Sequence, residues 1–287
     1  TLASCDSRKA AGENPFFTEW DTPHGVPPFD KILPEHFMPA FERGMSLHEA
    51  EIDAITSNKD EATFENTILA YDDAGQMLAQ TELVFGMLCA AETNDRMQAL
   101  QEQAMPLLAA HRDKIRLDDK LFVRVKEVYD RRAALGLDAE QMRLLQKTYD
   151  SFVRAGALLD AEQKARLKEI NGQLSLTAVK FGNNILAENN NFVLELKSDE
   201  LDGLPAGIRD AAREKAQQMG KGDKWVFTLH KPSLIPLLTY STRRDLREKI
   251  YKAYLNRCNN GDEYDNKQLI NDFIRLRTEK AHLLGYP

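Results

Sequence analysis

The sequence is short of cysteine, with three among its 287 residues, and no two of them have C-x-x-C spacing. An odd number without paired spacing signals neither a disulfide framework nor a thiolate zinc site. The chain also lacks an apolar run long enough to cross a bilayer, so its body is not expected to be a membrane protein. Acidic and basic residues are interspersed, the net charge is -7, and there is no basic stripe of the kind that binds nucleic acid. No nucleic-acid partner is therefore expected.

Catalytic signatures are missing as well. A zinc peptidase of the H-E-x-x-H type carries two histidines four residues apart on one helix face, with a glutamate that handles the attacking water. The nearest approach is His48-Glu49-Ala50-Glu51-Ile52, in which isoleucine replaces the second histidine and His48 itself falls on an apolar stripe. A structural role is therefore favoured for His48. The other histidines have no partner at metal-ligand spacing: His24, His36, His111, His230 and His282.

Three further patterns favour structural interpretations. Gly220 to Lys224 stands after a helix and before a strand, which is the wrong order for a phosphate loop. Cys258 has no histidine nearby in sequence, and no G-x-S-x-G elbow is present, so a nucleophilic thiol or serine is not indicated. A group of charged residues is interpreted as a solvated, salt-bridged helix face, with a site for an anionic peptide terminus as the alternative: Arg243, Arg244, Asp245, Arg247 and Glu248.

What the sequence does contain is helical periodicity. Apolar positions recur every three or four residues from Phe37 to Ile55, which predicts one helix that begins near Phe37 or Met38 with Pro39 in its first turn. Thr63 offers an N-cap to a second helix, whose predicted apolar face includes Gly75. The two helices are expected to form an antiparallel pair.

The rest of the chain predicts more helices and one small ribbon. N-caps are indicated at Asn94, at Asp118 or Asp119, and at Asp138, while Pro106 predicts a kink or break. A long helix is expected from Asp160 to about Ala187. The period falls to two only at about 192–197 and 224–229, which predicts two paired strands flanking a helix opened by Pro205. Helices resume through Leu237, over 242–254 and over 265–283. The fold class expected is mainly α, with about ten helices and one two-stranded β-ribbon.

The first residues predict an anchor. Leu2-Ala3-Ser4-Cys5 resembles a bacterial lipobox, in which the cysteine is lipidated, and the polar run that follows it suits a tether. Cys5 is therefore expected to hold the protein at a bacterial cell-envelope membrane; if the match is due to chance, the location expected is cytoplasmic. The predicted organisation is a leader and tether over 1–14 and a helical domain over 15–287.

Four groups of residues resemble a known family. They are Asn14 to Phe17, Pro27 to Phe29 with Glu35 to Phe41, Thr63 to Ile68, and Leu237 to Tyr251 with Glu279 to Tyr286. Together they resemble the N-terminal part of the peptidyl-dipeptidase Dcp and oligopeptidase A group, within the thimet oligopeptidase-like zinc metallopeptidases. These are packing residues, so the resemblance indicates kinship without assigning a catalytic residue to this chain.

The resemblance implies a layered helical region that forms the non-catalytic wall of a substrate channel in a clamshell-like zinc peptidase. Zinc and the H-E-x-x-H helix would belong to a C-terminal catalytic domain, the substrates would be oligopeptides, and release of C-terminal dipeptides is favoured. No zinc is expected on this piece, and an exposed apolar patch is expected near Phe273, Leu276, Leu283 and Leu284. The alternative is a lipid-anchored helical binding or scaffold protein without catalysis.

Overall fold

The structure is a computed structural model that describes residues 14–287, and it is mainly helical as predicted. Its helices are α1 (Phe37–Ser57), α2 (Ala70–Asp73), α3 (Gln76–Ala91), α4 (Asp95–Arg116), α5 (Asp119–Asp130), α6 (Ala139–Ala155), α7 (Ala161–Asn191), α8 (Ala206–Gln218), α9 (Lys231–Tyr240), α10 (Arg244–Leu255) and α11 (Lys267–Leu283). Two strands, β1 (Leu194–Leu196) and β2 (Trp225–Phe227), form the one sheet of the described residues. The expected leader, with Cys5, lies outside these residues.

Helix α1 begins where the sequence predicts. A single 3-10 turn over Pro34–His36 leads into Phe37, and Pro39 occupies the first turn, where it removes no helical hydrogen bond. Phe37 is fully buried, and its ring lies 4.9 Å from that of Phe85 on α3 and 5.3 Å from that of Phe16. The segment before the first long helix is therefore fixed to the core through Phe16.

The prediction of one continuous second helix is wrong, because the helix is interrupted at Gly75. Thr63 does cap it, but the chain then forms a π-helical segment over Phe64–Leu69, the short helix α2 and a turn before α3 begins. Gly75 has φ +78°, a left-handed conformation that interrupts a right-handed helix. Its N–H donates to Glu51 Oε2 at 2.7 Å, so the interruption is fixed to α1.

Side-chain caps fix the starts of the next three helices. Asn94, Asp118 and Asp138 each accept a backbone N–H of the first turn of α4, α5 and α6, as the sequence predicts. Pro106 lies inside α4, which runs continuously from Asp95 to Arg116, so of the predicted kink or break the break does not occur. The long helix α7 extends to Asn191, four residues beyond its predicted end at Ala187.

Residue contacts divide the chain into two compact units, of which the first includes residues up to Leu176 and then Leu276–Pro287. Within its described part, two buried clusters make up the core. One gathers Phe37, Phe41 and Phe85 from α1 and α3, and the other gathers Leu121, Leu145 and Phe152 from α5 and α6. The single helical domain predicted over 15–287 stays a prediction.

The second unit, Thr177–Arg275, contains the ribbon. Strands β1 and β2 are antiparallel with Leu194 opposite Phe227 and Leu196 opposite Trp225, which confirms the predicted pairing across α8. Each strand is three residues long, shorter than the six predicted at each site. The inward side chains of the ribbon pack with those of α8, α9 and α10 in a third buried cluster. No helix within residues 14–287 is both long and apolar enough to cross a membrane.

Candidate functional site

The histidine that most resembled a metal ligand in the sequence has an unexpected partner. His48 Nδ1 on α1 lies 3.0 Å from His111 Nε2 on α4, a residue 63 positions away in the chain. His111 is only 5% exposed. Glu49 Oε1 lies 3.5 Å from His111 Nδ1, while the other oxygen of Glu49 pairs with Lys114 at 2.7 Å. We call these four residues the histidine cluster.

The surroundings of both rings of the histidine cluster lower their pKa and so favour the neutral form. Burial lowers the pKa of His48, and the neighbouring His111 lowers it further, against smaller opposite effects of Glu51 and Glu49. Burial also lowers the pKa of His111, more strongly than Glu49 raises it. A hydrogen bond from Lys114 lowers the pKa of Glu49. One neutral ring can donate to the other, so the contact at 3.0 Å is satisfied without a net charge.

The histidine cluster does not fit a catalytic zinc ion. Such a site needs three protein ligands and an open position, whereas within residues 14–287 no three His, Cys, Asp or Glu side chains converge as a metal-ion site. The cluster also has a structural neighbour, because a Cβ on Gly75 would lie 2.9 Å from His48 Nδ1. This arrangement supports the structural interpretation of His48, and no chemical step through zinc is assigned to it.

The arginine-rich face at the start of α10 is largely paired within itself. Arg243 donates twice to Asp245, at 3.0 and 2.7 Å, and Lys252 pairs with Glu248 at 2.5 Å. Arg247 donates to the carbonyl oxygen of Ser241. A shallow depression of about 400 Å³ lies above Arg244 and Tyr251. The pairing of Arg243 and Lys252 matches the salt-bridged face predicted from the sequence, while Arg244 is exposed and makes no hydrogen bond or ion pair within residues 14–287.

Two other sequence candidates are structural. Cys258 is buried, and burial together with Glu188 raises the pKa of its thiol to about 11, the opposite of what activates a nucleophile. In the Gly220 to Lys224 stretch, Gly220 has φ +69° just after α8, and Lys221 pairs with Glu195 of β1. The stretch therefore ends a helix and leads into a strand, as predicted.

An apolar groove lies between α7 and α11 in the second unit. Its lining comes from Ala178 and Phe181 on α7 and from Leu269, Ile270, Phe273 and Ile274 on α11, around a volume of about 280 Å³. Ile270 and Ile274 are 44% and 60% exposed. The apolar exposure expected on the last helix is thus present, but on these two residues. Of the predicted positions, Phe273 lines the groove and is half-buried, and Leu283 and Leu284 are also half-buried. Leu276 is buried, so that position was wrong.

Comparison with known proteins finds that this chain is similar to one family of peptidases. Residues 237–287, which include α9, α10 and α11, match the model of peptidase family M3. The chain is also 36% identical to the dipeptidyl carboxypeptidase of Escherichia coli over 275 residues, which are 96% of this chain and 40% of that protein. The chain is an M3 peptidase relative.

Relatives of lower identity also align with nearly the whole of this chain. Oligopeptidase A of Escherichia coli is 26% identical over 270 residues, 92% of this chain and 40% of that protein. A probable cytosolic oligopeptidase A of Arabidopsis thaliana is 26% identical over 290 residues, with 98% and 40% covered. The chain therefore spans about two fifths of the length of these relatives, which confirms the family expected from the sequence.

Proposed function

We propose that this chain is the N-terminal, non-catalytic part of a zinc-dependent peptidase that hydrolyses short peptides. The observation that carries the proposal is the 36% identity to a dipeptidyl carboxypeptidase over 96% of the chain. Because the identity to oligopeptidase A is lower, at 26%, release of C-terminal dipeptides is favoured over internal cleavage. The aligned residues are 40% of the relative, so the remaining part of such a protein is where zinc and its ligands are expected.

In this proposal the chain forms one wall of the substrate channel and leaves the chemistry to the catalytic part. Zinc, when bound there, would polarise the scissile carbonyl and activate water. The residues described here supply packing and surface. The apolar groove between α7 and α11 supports the proposal, because exposed isoleucines beside an apolar depression are stabilised when another surface covers them. Its proposed occupant is the catalytic part of the same polypeptide.

The test is made on the product of the complete gene. The reading frame after the codon for Pro287 is expected to continue and to encode an H-E-x-x-H motif. The purified product is then incubated with an N-blocked hexapeptide, and the fragments are measured by mass spectrometry. Sequential loss of C-terminal dipeptides that stops with a zinc chelator is expected. Internal cleavage alone would assign the protein to the oligopeptidase A type. A stop codon after Pro287, or no hydrolysis of any peptide, would favour the non-catalytic scaffold instead.

We also propose that Cys5 anchors the protein to a bacterial envelope membrane. The support is the sequence Leu2-Ala3-Ser4-Cys5 and the polar stretch after it. Two or three acyl chains hold a protein firmly, whereas one gives weak and reversible binding. Replacing Cys5 with Ala in the native precursor is expected to move the protein from the membrane fraction to the soluble fraction. Unchanged fractionation would count against lipidation and favour a cytoplasmic location.

A further inference from the structure

A group of positively charged side chains in the first unit lines a cavity. This basic cavity has a volume of about 460 Å³ and is lined by residues of α4, α6, α7 and α11. Five of its lining residues are cationic: Arg116, Arg143, Lys147, Arg154 and Lys280. Two are acidic, Asp113 and Asp150, so the lining has an excess of three positive charges in a chain whose net charge is -7.

The cations of α6 have no partner among the described residues. Arg143, Lys147 and Arg154 recur at helical spacing on the face of α6 that lines the cavity, and each is exposed. Within residues 14–287 none of the three makes a hydrogen bond or an ion pair. Some other cations on the surface of this unit do pair with carboxylates, as Lys126 does with Asp130, 2.5 Å away, and Arg112 does with Glu82, 3.4 Å away.

The floor of the basic cavity is a fixed polar chain. Lys280 Nζ donates to Asn171 Oδ1 at 2.6 Å, and Asn171 Nδ2 donates to Asp113 Oδ1 at 2.8 Å. The one acidic group at the floor is therefore already bonded, and Asp150 at the wall accepts from Gln146 at 2.9 Å. Neither carboxylate is paired with the three cations of α6. Their charge remains available to a ligand.

The volume of the cavity and the chemistry of its lining residues indicate what kind of ligand it could bind. The volume falls within the range of about 300 to 1,000 Å³ that is usual for small-molecule sites. Ala155 is the only apolar residue among the ten that line the cavity, and none is aromatic, so there is no surface on which a base or another ring would stack. Arginine side chains bind phosphate and carboxylate groups through paired N–H donors, and lysine adds a mobile point charge.

We propose that the basic cavity binds a small, multiply charged anion, either an oligophosphate or a polycarboxylate. Arg143, Lys147 and Arg154 would contact its charged groups from α6, with Arg116 on the α4 side, where it lies beside the Tyr71 hydroxyl. Lys280 and Asn171 would hold the floor rigid beneath it. The proposal rests on the lining of the cavity and does not depend on the proposed peptidase function.

The test is a calorimetric titration of the 287-residue chain with sodium tripolyphosphate and, separately, with citrate, at low ionic strength. Saturable binding of one anion per chain is expected for at least one of the two. The Arg143→Ala/Lys147→Ala variant is expected to bind about tenfold more weakly or worse, because two charge-assisted contacts are lost. Raising the salt concentration to about 0.15 M should weaken binding to the wild-type chain by screening.

A matched variant separates a site from general charge. Lys31 and Lys120 are exposed, lie outside the cavity and make no side-chain hydrogen bond or ion pair within residues 14–287, so Lys31→Ala/Lys120→Ala also removes two positive charges. This control is expected to bind both anions as the wild-type chain does. Binding of tripolyphosphate alone would assign an oligophosphate ligand, and binding of citrate alone a polycarboxylate. The proposal is overturned if neither anion saturates, or if the control loses as much affinity as the cavity variant.

Discussion

The histidine cluster and the basic cavity both use helix α4, and they differ in how their charges are satisfied. His111 on α4 is buried, and its cluster is held together by short contacts: His48 lies 3.0 Å from one ring nitrogen, Glu49 lies 3.5 Å from the other, and Lys114 pairs with the carboxylate. Asp113 and Arg116, a few residues along the same helix, line a cavity that also contains three cations without partners. A closed polar cluster of this kind fixes the packing of helices, whereas an open cluster with excess charge is ready for a ligand.

From this comparison we expect the largest loss of stability at Gly75, whose backbone packs against His48 of the histidine cluster. Gly75→Ala forces an L side chain into φ +78° and places its Cβ 2.9 Å from His48 Nδ1. A decrease of about 2 to 4 kcal/mol in the free energy of unfolding is expected, measured by urea denaturation. Gly86→Ala is the control, because Gly86 lies in α3 with open space around it, and it should stabilise the protein by up to about 1 kcal/mol. Equal effects of the two variants would contradict the close packing at Gly75.

A smaller effect is expected from the buried ring itself. His111→Gln keeps a polar side chain but loses the geometry of the contact with His48, so a loss of about 1 to 3 kcal/mol is expected at neutral pH. The same urea denaturation measures it. If the stability is unchanged, the pairing of the two rings contributes nothing to the closed cluster.

The pH dependence of stability tests the electrostatics of the pair. The pKa of each ring in the folded protein is below the usual 6.5. As the pH falls, the unfolded chain therefore binds protons first. The free energy of unfolding should be at its full value above about pH 6.5 and should decrease below it, until the pH has passed the folded-state pKa values. In His111→Gln this slope between pH 7 and 5 is expected to be shallower, and a slope equal to that of the wild type would show that another group causes it.

The smallest effect on stability is expected in the basic cavity. Arg143→Ala/Lys147→Ala removes two exposed cations without partners, so the free energy of unfolding should change by no more than about 0.5 kcal/mol. The melting temperature of the wild-type chain, but not that of the variant, should rise with tripolyphosphate or citrate, since a ligand that binds only the folded state stabilises it. A large loss of stability in the ligand-free variant would mean that these cations are structural.

A structural feature of this protein could be predicted from the sequence when the residues that form it are neighbours along the chain. The start of α1 at Phe37, the caps at Asn94, Asp118 and Asp138, and the ribbon of β1 and β2 follow from neighbouring residues, and all were predicted. The break at Gly75 was missed because a glycine on an apolar face fits a helix pattern equally well. Only the tertiary contacts of Gly75 with Glu51 and His48 show why it must be left-handed.

Neither the histidine cluster nor the basic cavity could be predicted from the sequence, and the reason is the same for both. His48 and His111 are 63 positions apart, and no local spacing links them. The basic cavity combines α6 with Lys280 of α11 and Asn171 of α7. The recurrence of Arg143, Lys147 and Arg154 on one helix face was visible in the sequence, but such a pattern usually means a solvated surface. Only the structure shows that these cations line a concave space and lack acidic partners.

We have proposed that this chain is a non-catalytic part of a larger zinc peptidase. The most direct measurement is the zinc content of the 287-residue chain and of the complete gene product, purified and dialysed side by side, with peptide hydrolysis measured on both. The account predicts one tightly bound zinc and hydrolysis for the complete product, and neither for the 287-residue chain. One zinc held by the 287-residue chain, or peptide hydrolysis by it alone, would contradict the account.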